Sequence, residues 1–247
     1  MTLLLDIGNS RIKWARLQGG ALGARGGVLH RGEPLEQRLD ERWGSLTPPQ
    51  AVLACSVASP DVGAAVSAWM ARRWGARCRF VEPETRALGV VNAYPAPTQL
   101  GADRWAALIA AHHRYPGARC IVGCGTATTI DVLDAAGAHH GGLIVPGVRL
   151  MREALLRDTD RIREVSGAVA PLLARSTPDA VTTGAVYALT TLIERVVAEA
   201  GAELGAPLPC LVTGGDAELV RAHLRCDSVH TPDLVLEGLG VIAEAEP

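Results

Sequence analysis

Two short cassettes in this sequence carry the residue types that handle phosphate. They are Asp6-Ile7-Gly8-Asn9-Ser10-Arg11-Ile12-Lys13 near the start and Gly123-Cys124-Gly125-Thr126-Ala127-Thr128-Thr129-Ile130-Asp131 near the middle. In each, an apolar strand turns back through small residues that let backbone N–H groups approach an anion, while hydroxyls add further donors. A carboxylate does not bind phosphate directly, so Asp6 argues for a divalent cation between the two. Lys13, on the returning strand, would meet phosphates lying over the turn. Thr213-Gly214-Gly215-Asp216 makes a third small-residue turn after an apolar strand, and the helix that follows offers its N-terminus to an anion or a nucleotide. Gly101-Ala102-Asp103-Arg104, at a helix start, sets a carboxylate beside a guanidinium, which suits a proton acceptor for an attacking hydroxyl. Phosphoryl transfer rests mostly on positioning and electrostatic stabilisation, which these groups supply, so a kinase or phosphohydrolase acting on ATP is the first hypothesis.

Each motif also has a plain structural reading. Asp, Gly and Asn are what hairpin turns prefer, Thr is a good strand residue, and an acid at a helix start is favoured by the macrodipole. At Asp103 the motif alone leaves the structural reading slightly ahead. Three small-residue turns in one chain are harder to set aside than any one of them.

The elements that must position these residues alternate. Residues 2–7 and 11–17 read as strands around a Gly-Asn-Ser turn, with a further short strand near Val28. Residues 35–43 have helical spacing, residues 51–57 form a buried strand, and residues 61–74 form an amphipathic helix with Asp61 as its cap. A strand over 79–82, a loop marked by Pro95 and Pro97, and a helix over 101–114 follow, stopped by Tyr115-Pro116-Gly117. The second half repeats the order, with strands over 119–122, 128–134 and 141–145, helices over 148–156 and 179–200, and a strand over 209–213. A helix from Asp216 and a last helix after Pro232 complete it. The expected architecture is two packed three-layer α/β domains, residues 1–117 and 118–247, with a cleft between them.

The 247 residues are 48% hydrophobic and 20% charged, the balance of a soluble globular protein with a real core. A formal charge of −2 gives no basic field for nucleic acid. No apolar run approaches the roughly 18 residues of a membrane span, and Leu3-Leu4-Leu5 runs straight into a polar turn, so it reads as a strand rather than a signal peptide. A cytoplasmic location is expected. The six cysteines include no C-x-x-C pair and read as buried thiols; the pairs His112-His113 and His139-His140 read as surface or loop histidines.

Taken together, the motifs resemble the type III pantothenate kinases, also known as Bvg accessory factor proteins, of the acetate kinase, sugar kinase, Hsp70 and actin superfamily. Besides the two cassettes, the resemblance is carried by Asn92-Ala93-Tyr94, Gln99-Leu100-Gly101-Ala102-Asp103-Arg104, Gly141-Gly142-Leu143-Ile144-Val145-Pro146-Gly147, Thr177, Thr183-Gly184 and Pro232-Asp233-Leu234-Val235-Leu236-Glu237-Gly238-Leu239. It implies two duplicated ribonuclease H-like, actin-like ATPase domains and ATP-dependent phosphorylation of the primary hydroxyl of pantothenate, the first step toward coenzyme A. By this resemblance Asp103 is the proton acceptor. Tyr94, Gly101, Ala102, Asp103 and Arg104 form the pantothenate pocket, and Thr177 reaches pantothenate across a homodimer interface. Asp6, Gly8, Asn9, Ser10, Lys13, Gly125, Thr126, Thr128, Thr129, Gly214 and Gly215 serve the ATP phosphates, with Asp6 acting on magnesium through water.

One position departs from the family pattern. Gly123 stands where family members commonly carry an aspartate that binds a monovalent cation, so a potassium or ammonium requirement does not carry over. Two other readings compete with the kinase: a non-catalytic, nucleotide-binding regulatory relative, against which the intact Asp6, Lys13, Asp103 and Arg104 count, and a phosphohydrolase of the same superfamily.

Overall fold

The structure is a computed structural model that describes residues 1–30 and 34–245. The chain divides into two compact units, Met1–Pro116 with Asp233–Pro247, and Gly117–Pro232.

The first unit opens with β1 (Thr2–Ile7), β2 (Arg11–Gln18) and β3 (Ala21–Leu29), an antiparallel meander, and continues through α1 (Leu35–Trp43), β4 (Ala51–Ser56), α2 (Pro60–Trp74) and β5 (Cys78–Phe80). The two-residue strands β6 (Arg86–Ala87) and β7 (Val90–Val91) form a small hairpin ahead of α3 (Ala102–Arg114). The main sheet has the order β3-β2-β1-β4-β5, with β4 and β5 parallel to β1. Leu3, Leu5 and Ile7 on β1 face a core with Leu39 and Trp43 of α1 and Val66, Trp69 and Met70 of α2, as the two-residue period of a strand requires. Asp61 does not cap α2: Ser59 holds the N-cap position and Pro60 starts the helix, where its missing N–H costs nothing.

The second unit repeats this plan. β8 (Arg119–Cys124), β9 (Ala127–Leu133) and β10 (His139–Pro146) form the meander, followed by α4 (Val148–Asp158), α5 (Thr177–Leu204), β11 (Cys210–Thr213), α6 (Ala217–Arg221) and β12 (Ser228–His230). The sheet order β10-β9-β8-β11-β12 is the counterpart of the first, with β11 parallel to β8 and β12 parallel to β11. Cys120, Val122 and Cys124 of β8 share one buried face with Val186, Leu189 and Ile193 of α5. By length and composition α5 is apolar enough to cross a membrane, which the sequence reading missed; its buried stripe in this core accounts for that composition.

The last helix, α7 (Leu234–Ala245), belongs to the first unit and not, as the sequence order suggests, to the second. It lies on α3 and on the face of β1 that carries Leu4, which is fully buried. Gly238 permits that approach, because a Cβ there would fall 1.8 Å from the carbonyl oxygen of Ala106. Sequence proximity placed this helix with its neighbours; an otherwise uncovered sheet face claims it instead.

Candidate active site

In the first unit, β1 ends in the turn that holds Gly8, Asn9 and Ser10 before β2 begins. Gly8 N–H donates to the Arg11 carbonyl at 3.0 Å and closes the turn from within. Register places Lys13 beside Asp6 on the antiparallel partner and Cys55 beside it on the parallel one. The Cys55 thiol lies 3.9 Å from Asp6 Oδ1 and donates to it. Burial, then the charge of Asp103, pushes the Asp6 carboxyl up from 3.8 to about 7, while Lys13 and the Cys55 thiol pull it down. A carboxylate that is desolvated and repelled by a second carboxylate is a place where a divalent cation is electrostatically welcome. Magnesium fits such a donor set, since it keeps several waters and takes one or two carboxylates plus substrate phosphates. Among the described residues no group of three or more His, Cys, Asp or Glu side chains is placed to hold a metal ion.

Asp103 is the second residue of α3, half-buried, and its Oδ1 accepts the Arg104 backbone N–H at 2.8 Å. Gly101 ahead of the helix leaves this carboxylate its space, because a Cβ at that position would come within 2.6 Å of Oδ1. Arg104 is buried; its Nη1 donates to the Tyr94 hydroxyl at 3.1 Å and its guanidinium carbon lies 5.6 Å from the Tyr94 ring centre. Asn92, which the motif reading quoted without assigning a role, fixes this arrangement. Its side-chain oxygen accepts Tyr94 N–H at 3.0 Å, and its amide donates to the carbonyls of Glu84 and Pro97 at 3.3 and 3.4 Å. A cavity of about 380 Å³, lined by Val57, Val81, Glu82, Gln99, Gly101 and Ala102 among others, adjoins the start of α3. Asp6, Gly8, Asn9, Ser10, Lys13, Tyr94, Gly101, Ala102, Asp103 and Arg104 therefore all fall in one unit.

The second unit draws three chain segments onto one turn. Gly125 N–H donates to the Ala127 carbonyl at 3.0 Å, and Gly147 N–H donates to the Thr126 carbonyl at 2.9 Å. Asp216 N–H donates to the Cys124 carbonyl at 3.1 Å. Gly214, at φ +103°, approaches so closely that a Cβ would lie 2.3 Å from the Cys124 oxygen. Gly125, Thr126, Gly214 and Gly215 are thus neighbours, and the space beside Gly215 is open. Burial raises the Asp216 carboxyl above its usual range, against the opposing charges of Arg149 and Arg152 on α4.

The two later threonines of the cassette face opposite ways. Thr128 is 1% exposed on the side of β9 that carries Ile130 and Val132 into the core, and its hydroxyl has no hydrogen-bond partner among the described residues. Thr129 lies over Gly123, its Oγ1 2.7 Å from where a Cβ on that glycine would sit. A Cβ at position 123 would press on the Thr129 hydroxyl, and the glycine present there supplies no carboxylate to a cation. Thr177 begins α5 and is exposed, apart from this turn in sequence and in element.

One reading of surface chemistry changes. His139 is buried at the start of β10, with Nε2 2.9 Å from Asp131 Oδ1 on β9, rather than lying in a loop. Alternation across the hairpin, which pairs His139 with Leu133, is the signal that pointed inward. His140 stays partly exposed against Asp134, at 3.0 Å. All six cysteines are free thiols.

The sequence model of the family described as type III pantothenate kinase matches residues 2–199. A type III pantothenate kinase of Nitrosococcus oceani is 40% identical over 250 residues, covering 99% of this chain and 94% of its own. One from Laribacter hongkongensis is 40% identical over 243 residues, covering 98% of each. Among solved structures, a Baf family protein of Campylobacter jejuni superposes with a TM-score of 0.63 at 20% identity, over 99% of this chain and 98% of that one, which shows the shared fold. That fold, two like sheets each built as a meander with parallel additions, is the actin-like ATPase architecture of sugar kinases. The chain belongs to the type III pantothenate kinase family.

Proposed function

We propose that this protein transfers the γ-phosphoryl group of ATP to the primary hydroxyl of pantothenate, giving 4'-phosphopantothenate, the first step of coenzyme A biosynthesis. The observation that carries the reading is the electrostatic coupling of Asp6 on β1 to Lys13 on β2 and to Asp103 on α3, with Arg104 buried in the first turn of that helix and bonded to Tyr94. Asp103, held by its own helix terminus, takes the proton from the hydroxyl as that oxygen attacks in line. In the first unit Lys13 and the amides of the Gly8–Ser10 turn, and in the second unit by itself Gly125, Thr126, Thr129, Gly214 and Gly215, are the groups suited to phosphate charge. Thr128, expected from the sequence to serve the phosphates, drops out of this set because its side chain lies on the core side of β9. Magnesium, held by Asp6 through water, supplies further charge neutralisation when bound. Arg104 and Tyr94 recognise the substrate carboxylate, a role that suits a guanidinium already oriented by a phenol.

A homodimer, to which each protomer contributes Thr177, is part of this reading. Exposed apolar side chains on the end strand β10 (Ile144, 61% exposed) and on α4 (Leu155 and Leu156, each 41% exposed) are candidate contacts for a second copy. The near-neutral charge supports a cytoplasmic enzyme that binds neither nucleic acid nor membrane. Magnesium is required and potassium or ammonium is not. The test is ADP release followed with and without pantothenate: release only with pantothenate is expected, release without it would indicate a phosphohydrolase, and none in either case a regulatory nucleotide binder.

A further inference from the structure

The turn after β1 is held from outside by a residue that lies in none of the phosphate motifs. His30, the residue after β3, donates Nε2–H to the Gly8 carbonyl at 2.8 Å and its backbone N–H to the Ser10 carbonyl at 3.3 Å. A carbonyl oxygen only accepts, so the proton sits on Nε2 whatever the state of Nδ1, and the bond persists when the ring is protonated.

These contacts fix the carbonyls on both sides of Asn9. In a trans peptide the C=O and the following N–H point to opposite sides. Anchoring Gly8 O on the imidazole therefore aims Asn9 N–H away from His30. The bond inside the turn, Gly8 N–H to Arg11 O, restrains the peptide before Gly8 and not the one after it. Gly8 has the backbone freedom to let that second peptide rotate, which would turn an oxygen toward a bound anion.

We propose that His30 is a positioning residue for this turn, holding the Gly8–Asn9 peptide with its N–H directed at the nucleotide phosphates. The inference rests on the reading of the turn as a phosphate site.

The test compares the full-length protein with His30→Ala, His30→Phe, which keeps a ring but no donor, and His30→Gln, which keeps an N–H donor at similar reach. Loss of one such bond should raise the KM for Mg·ATP about tenfold in the Ala and Phe variants and leave the KM for pantothenate within about twofold. The Gln variant should recover most of the loss. Calorimetric titration with Mg·ADP should show the same order without turnover. An unchanged nucleotide KM in folded Ala and Phe variants, a parallel rise in both KM values, or failure of Gln to restore would each overturn the proposal. Wild-type protein that binds Mg·ADP but does not phosphorylate pantothenate would defeat the proposed reaction and leave the His30 comparison standing.

Discussion

Burial and the charge of Asp103 lift the Asp6 carboxyl from 3.8 to about 7, and this has a definite sign in folding. Between those values the folded chain holds a proton that the unfolded chain has released, so stability falls as pH rises through the interval and the contribution is gone above about 7. In metal-free protein, the melting temperature of Asp6→Asn should therefore gain on wild type from pH 4 to 8, and magnesium should restore wild type more than the variant. Parallel melting curves across that range would mean the carboxylate is not strained. Asp103→Asn keeps size and shape but removes the proton acceptor, so turnover should drop by about 10² to 10⁴ with little change in melting temperature. Turnover within about twofold of wild type would contradict the assignment. Asp6, Lys13 and Asp103 stood out in the sequence only through their motifs taken together, since each alone has an ordinary turn, strand-end or helix-start reading. His30, Cys55 and Asn92 did not, because a lone His, Cys or Asn announces nothing until register or a turn brings it to a partner.

The strand-turn-strand openings and the helix over Leu35–Trp43 follow from period and punctuation, which are local signals. What escaped were the pairings that close over long distances. Nothing in 232–247 says that this segment crosses back to cover Leu4, since an apolar helix fits either sheet equally well by composition. Gly238 is the residue that commits it. Gly238→Ala would drive a methyl into the Ala106 backbone, which cannot yield as a side chain can, so a loss of about 1–3 kcal/mol is expected by denaturant unfolding. An unchanged midpoint would show that α7 is held by other contacts. His139 illustrates the same limit at smaller scale: adjacent histidines look alike in sequence, and only the hairpin register sends one inward and leaves the other on the surface.

The molecule uses one plan twice, a three-stranded meander extended by two parallel strands, and each copy delivers a glycine-rich turn at the end of its first strand. That duplication was visible as a repeated order of elements, whereas the assignment of every segment to its unit was not. Light scattering should give the mass of a dimer, and Ile144→Glu, which charges the exposed edge strand, should lower that mass and the activity together. An active monomer would refute a shared site. Exchange of potassium for a large organic cation at constant ionic strength should leave the rate little changed, because Gly123 supplies no carboxylate. Steep, saturable activation by potassium would show that other oxygens hold the ion. The most direct test of the central claim is ADP release by purified protein with magnesium and ATP, measured with and without pantothenate, and with 4'-phosphopantothenate identified by mass. The prediction is stoichiometric ADP and 4'-phosphopantothenate only when pantothenate is present; ADP release that does not depend on pantothenate, or none at all, would contradict it.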